Sequence, residues 1–220
     1  MEADFWHARW QQNQIGFHQQ DINMHLQDYW PLPGMPVQGG VFVPLCGKSR
    51  DMLWLAAQGY RVMGVEISPI AVRDFFEEHD LEPRISRRGA FESWVCDDLE
   101  ILCGDFFHLR PDDMAGVKAV YDRASLVALP PGMRADYAAQ LARLLVAGVS
   151  ALLVSMEYPD HEMQGPPFSV TRGEVDSLYR SAFQVNLLAS VDILKENENL
   201  RRRGLTRMQE KVYQLTRRVS

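Results

Sequence analysis

From residue 40 onward, short apolar runs alternate with helical patterns, and that alternation restricts the chain to few architectures. "GVFVPL" (40–45) reads as a buried strand and "MLWLAAQG" (52–59) as a helix closed by Gly59. A second strand, "YRVMGVEI" (60–67), runs into Ser68-Pro69, an N-cap with proline at the first helical position. Further strands are expected at 99–104, 117–122 and 150–158, with a proline-entered, glycine-ended helix over 130–148 between the last two. Residues 171–182 carry a Thr171…Glu174 capping box, and two strands close the chain with little helix between them. This order predicts a doubly wound, mostly parallel α/β sheet with an antiparallel hairpin at one edge. Residues 1–38 lie outside the repeat as an aromatic helix followed by a stretch rich in glutamine and histidine, and 39–220 form the core of one domain.

Bulk properties exclude several function classes. The 220 residues are 46 % hydrophobic and 24 % charged, enough to bury a core. A formal charge of -6 argues against a broad grip on nucleic acid or anionic lipid, and Arg201-Arg202-Arg203 reads as a solvated turn. No apolar run approaches the roughly 18 residues of a membrane span, and the acidic, tryptophan-bearing start is unlike a signal peptide. Three cysteines without C-x-x-C spacing suggest neither a disulfide framework nor a zinc site, which fits a reducing cytoplasm. Six scattered histidines form no metal-binding pattern. A monomer is expected, because no exposed apolar stripe stands out.

In such sheets the ligand lies beyond the carboxyl ends of the strands, so the strand exits carry the functional reading. The first exit contains Gly47-Lys48-Ser49, the end of a phosphate loop. That loop needs a glycine five places before Gly47, where Phe42 stands, and Pro44 removes an amide donor from the cradle. G-x-G-x-x-G fails too, because the turn has one glycine. Glu66 ends the second strand, 19 residues after Gly47, where an acid bonds ribose hydroxyls; alternatively it is a solvent-facing charge. An adenosine-containing ligand without pyrophosphate fits this pattern, and S-adenosylmethionine is the common one. Asp105 at the third exit could meet the adenine edge or cap a helix. Asp122-Arg123 at the fourth would face the methionine tail and reacting centre, or form a surface salt bridge.

With these residues assembled, the chain resembles the thiopurine S-methyltransferase family over nearly its whole length. The resemblance rests on "FWHARWQQNQIGFHQ", "VFVPLCGKSRDMLWLA", "GYRVMGVEIS", "YDRASLVALPPGMR" and "GPPFSV". It implies a class I methyltransferase sheet, seven strands with the last antiparallel, and an N-terminal lid. It implies a cofactor site in which Trp10 covers S-adenosylmethionine, Leu45 and Gly47 form the turn against its tail, and Glu66 holds its ribose. Gly104 and Asp105 would border adenine, and Arg123 would lie between cofactor and substrate. Phe17 and the loop from Gly165 to Phe168 would line the substrate pocket. The implied activity is methyl transfer to the sulfur of aromatic or heterocyclic thiols such as thiopurines. Anionic selenium or tellurium species would be alternative acceptors for the same displacement. No catalytic base and no metal is expected. A nicotinamide-dependent oxidoreductase, or a cofactor-binding sensor, would use the same sheet.

Overall fold

The computed structural model describes residues 3–15, 18–36, 38–195, 198–202 and 204–219. It divides into two compact units, residues 1–121 and 122–220.

The first unit opens with α1 (Ala3–Gln11) and α2 (Met24–Tyr29). Then come β1 (Gly40–Val43), α3 (Asp51–Ala57), β2 (Arg61–Glu66) and α4 (Pro69–Glu78). Strands β3 (Arg84–Arg88), β4 (Phe91–Cys96), β5 (Leu99–Cys103) and β6 (Val117–Arg123) follow, the last two residues of β6 belonging to the second unit. Their order is β3-β4-β5-β2-β1-β6. Strands β5, β2, β1 and β6 are parallel, with Val41 opposite Val62 and Glu66 opposite Cys103. The chain moves one way from β1 to β2 and β5, then returns to β1's other side with β6, which makes β1 the switch point. Phe42, Leu55, Val65, Phe75 and Phe76 are buried in this unit. Each contributes about 1.5–3 kcal/mol by leaving water.

Local chemistry explains the boundaries. Ser68 caps α4 by accepting a hydrogen bond from the Ala71 amide at 3.4 Å, and Pro69 follows at the first helical position. Gly59, at φ +87°, ends the α3 turn where a side chain would be strained. Strands β3 and β4 add to the seven expected. They are an antiparallel meander onto β5, turned at Gly89-Ala90 and Asp97-Asp98. Gly89 and Asp97 have φ of +59° and +50°, the left-handed backbone of tight hairpins. Apolar periodicity misses β3 because "RISRR" is exposed at four of its five positions. Charged edge strands resist pairing with other chains, so their composition hides them.

In the second unit, α5 (Ser125–Ala128) and α6 (Pro131–Leu144) precede β7 (Ser150–Glu157) and α7 (Arg172–Tyr179). Strand β8 (Phe183–Asp192), α8 (Glu198–Arg202) and β9 (Gln209–Arg217) complete it. The order β7-β9-β8 is antiparallel throughout, so the expected terminal hairpin forms. Leu141, Leu152, Tyr179, Phe183 and Val212 are buried here. Of the arginine triplet, Arg201 and Arg202 are exposed, and Arg202 pairs with Glu198 at 2.7 Å. Arg203 lies outside the described residues.

Gly64, inside β2, leaves no space for a side chain. A Cβ there would lie 2.6 Å from Cys46 Sγ and 3.1 Å from Met52 Sδ. Gly64→Val is expected to lower stability by about 1–3 kcal/mol through overpacking. Thermal unfolding measures this, and an unchanged melting temperature would show that the turn after β1 yields freely.

Candidate functional site

Three of the expected exits lie side by side in the first unit. Strand β2 ends at Glu66, and the neighbouring exits are tied to it through the backbone. The Cys46 amide donates to Val65 O at 3.0 Å, and the Gly104 amide donates to Glu66 O at 2.8 Å. The Leu45–Gly47 turn, the Glu66 carboxylate and the Gly104-Asp105 corner therefore share one edge. Leu45 and Gly47 have φ of +46° and +53°. A branched side chain in that backbone is a local strain, which proteins retain mainly where a ligand or a switch requires it.

Glu66 is 6 % exposed, so it is no solvent-facing charge. Its Oε2 accepts from the Gly47 amide at 2.9 Å and its Oε1 from the Ser68 amide at 2.8 Å. Burial raises its pKa, while these amides, and more weakly His7, pull the other way. An ionised carboxylate has about four acceptor positions. The Gly47 and Ser68 amides, with that of Ile67 close by, leave acceptor capacity for a further donor such as a ribose hydroxyl.

Helix α1 closes over this edge. His7 Nε2 lies 3.1 Å from Ile67 O, one residue beyond Glu66. Trp10 is 6 % exposed, and its ring lies 3.3 Å from where a Cβ on Gly47 would stand. A Cβ at 47 would press on the Trp10 ring, which would have to shift by a few tenths of an ångström. Lys48 turns away and pairs with Glu78 at 2.5 Å, so the final lysine of the phosphate-loop signature serves an ion pair. Pro44 has no N–H, and Leu45 occupies the left-handed turn. This edge offers a buried carboxylate beside an indole ring and has no phosphate cradle.

Two thiols flank Glu66. Burial and then the Glu66 charge push Cys46 well above the ordinary thiol range, and the same two causes, in that order, push Cys103 up to about 11. Both stay protonated near neutral pH, which keeps them poor nucleophiles beside the site. Asp105 caps the 3₁₀ turn Phe106–His108, accepting from the Phe107 amide at 2.9 Å. Gly104 is needed because a Cβ there would strike the Phe91 ring at 2.6 Å. Phe17 lies outside the described residues.

The second unit holds the residues of the fourth exit. Arg123 is half-buried as the last residue of β6, and Ala124 follows at φ +67°, a second left-handed corner at a strand exit. Asp122 is 1 % exposed and accepts from Tyr137 Oη at 2.6 Å. Its surroundings are a protein interior, where the Tyr137 hydroxyl holds it in place. Sequence reasoning missed Tyr137 as its partner, since 15 residues and a helix boundary separate them.

Burial pushes Asp122 up to about 6, against opposing hydrogen bonds from Tyr137, Ser125 and nearby amides. The folded chain therefore holds this proton more tightly than the unfolded chain. Stability from this group is full below about pH 4 and is lost as pH rises to about 6. Asp122→Asn does not titrate, so it is expected to gain on the wild type by on the order of 3 kcal/mol across that window. Chemical unfolding at several pH values measures the difference, and a flat difference would contradict the buried-carboxyl assignment.

Comparison with known proteins gives the family and the fold. The family described as Thiopurine S-methyltransferase matches residues 1–218. The thiopurine S-methyltransferase of Pseudomonas fluorescens (strain Pf0-1) is 48 % identical over 215 residues, covering 98 % of this chain and 99 % of that protein. Among solved structures, a SAM-dependent methyltransferase from Methanosarcina mazei superposes with a TM-score of 0.65 at 14 % identity, covering 91 % of this chain and all of that one. The 1,6-didemethyltoxoflavin-N1-methyltransferase of Burkholderia thailandensis, solved with 1,6-didemethyltoxoflavin and S-adenosylhomocysteine, gives 0.60 at 15 % identity, covering 99 % and 87 %. These structures share the expected class I methyltransferase fold. Matched almost end to end and nearly half identical to a member, the chain belongs to the thiopurine S-methyltransferase family.

Proposed function

We propose that this chain transfers a methyl group from S-adenosylmethionine to the sulfur of aromatic or heterocyclic thiols, thiopurines among them. The observation that carries the cofactor half is the Glu66 carboxylate, held by two amides at an edge without a phosphate cradle and covered by Trp10. In this reading Trp10, Leu45, Gly47, Glu66, Gly104, Asp105 and Arg123 hold the cofactor. Arg123 also faces the acceptor, with Phe17 and the 165–168 loop as pocket walls. Family membership supports sulfur as the acceptor atom. The proposal extends to a monomer working in the cytoplasm on a small molecule. Among the described residues no helix is long and apolar enough to cross a membrane.

Bound at this edge, S-adenosylmethionine supplies a methyl group on a positively charged sulfur, an electrophile that needs no further activation. The chain's task is to align the acceptor and exclude water, an effect that reaches roughly 7–11 kcal/mol in well-oriented reactions. Glu66 fixes the ribose, and the lid excludes solvent. Arg123 stabilises the acceptor's thiolate, since an opposite charge nearby favours the ionised form. The thiol proton leaves to water before the displacement, so no protein base is needed at neutral pH.

The test is incubation with methyl-labelled S-adenosylmethionine and a thiopurine. A labelled thioether is the expected product. Absence of label across a panel of aromatic thiols would remove the assignment.

A further inference from the structure

Arg134 occupies a position that electrostatics disfavours. It is 1 % exposed and lies in the first turn of α6, whose end carries partial positive charge. Burying a guanidinium there costs hydration that a surface site would keep. Its contacts are therefore informative. Nε donates to Leu129 O at 3.0 Å, at the end of α5. Nη1 donates to Glu174 Oε1 at 2.6 Å, in the first turn of α7. Glu174 is the residue expected to complete a capping box. Thr171 accepts from the Glu174 amide, while the Glu174 carboxylate goes to Arg134.

The guanidinium carbon also lies 5.9 Å from the centre of the Phe168 ring. Phe168 ends the 165–168 loop and is half-buried. The loop is pinned on its other sides. The Phe168 amide donates to Val127 O at 2.6 Å, and Tyr158 Oη donates to Pro167 O at 2.6 Å. A Cβ on Gly165 would lie 2.5 Å from the Phe168 ring, so that glycine lets the ring fold back over its own loop. Arg134 thus joins α5, α7 and this ring. An ion pair with one partner this deeply buried is weak evidence for stability, because apolar packing serves as well. It is better explained by a need to fix one arrangement.

We propose that Arg134 is a positioning residue for the methyl acceptor, acting through Phe168. The cation holds the ring in one orientation and draws on its electron-rich face, which suits a flat, electron-rich heteroaromatic thiolate lying against it. This inference rests on the transferase reading and adds to it a determinant of acceptor class.

Arg134→Met, Arg134→Lys, Phe168→Leu and the Arg134→Met/Phe168→Leu pair are compared in steady-state methylation of an aromatic thiol at saturating S-adenosylmethionine. Calorimetry with S-adenosylhomocysteine and thermal unfolding serve as controls. Arg134→Met and Phe168→Leu are each expected to raise the acceptor KM about tenfold, with kcat less affected. Arg134→Lys is expected to recover part of the loss, and S-adenosylhomocysteine affinity to stay within about twofold. The double variant is expected to be no worse than the worse single one, because both changes remove the same contact. An unchanged acceptor KM in folded Arg134→Met, additive losses, or a parallel fall in S-adenosylhomocysteine affinity would overturn the inference. Should Arg134→Met fail to fold, Glu174→Gln keeps the arginine and weakens its anchor. An acceptor KM rise of about threefold is expected there, and no rise would overturn the inference equally. Failure of the underlying reading is seen separately, as wild-type protein that yields no methylated thiol at all.

Discussion

Glu66→Ala is expected to weaken S-adenosylmethionine binding by about two to four orders of magnitude. The estimate comes from two charge-assisted hydrogen bonds to ribose hydroxyls, each worth about 1.5–3 kcal/mol. The structure adds a second consequence that a strand-end acid alone does not suggest. The same carboxylate satisfies the Gly47 and Ser68 amides. Removing it leaves two donors without their acceptor at a buried edge, at about 1–3 kcal/mol each. Glu66→Ala should therefore melt earlier as well as bind less. Glu66→Gln separates the effects, because its oxygen serves one amide while its NH₂ faces the other. Stability should fall part of the way, and affinity should fall nearly as far as in the alanine variant. Calorimetry and thermal unfolding on both variants measure this. Wild-type affinity in a folded Glu66→Ala protein would return Glu66 to a purely structural role.

Arg123→Met is expected to slow methylation at neutral pH by roughly 10–10³-fold and to shift the rate profile towards alkali. An opposite charge at close range lowers an acid's pKa by about 1–3 units. Without that charge, less of the acceptor is thiolate at pH 7, and the rate recovers as alkali ionises it. The sign is definite: the variant-to-wild-type ratio rises with pH. A loss that is equal at every pH would mean that Arg123 acts by shape or by cofactor contact alone. S-adenosylhomocysteine affinity, measured alongside, distinguishes those two.

The strand exits were legible because a buried parallel strand must be apolar and must end in a turn. "GVFVPL" and "YRVMGVEI" announce both, and Ser68-Pro69 announces the following helix. The failure of the phosphate-loop reading was equally legible from Phe42 and Pro44, and Lys48's pairing with Glu78 gives its structural counterpart. The β3–β4 meander was not, since an edge strand of arginines carries no apolar period. Its turns, Gly89-Ala90 and Asp97-Asp98, were the available signal. Pair-specific chemistry was also hidden. That Glu66 serves amides from two different segments depends on the approach of β1's exit to β2. That Glu174 leaves its capping box for Arg134 depends on how α6 and α7 pack. The Asp105 side chain forms the cap that its position suggested as one of two roles. Backbone strain at Leu45 and Ala124 has no sequence signature, because neither residue favours a positive φ.

A single ligand edge in the first unit is expected to take adenosine and refuse phosphates. Titration with S-adenosylhomocysteine, followed by amide hydrogen exchange on the saturated protein, tests it most directly. The expected result is one site, with exchange slowed at residues 45–47, 66–68 and 104–105. No binding, or protection elsewhere while those three turns exchange as before, would contradict it.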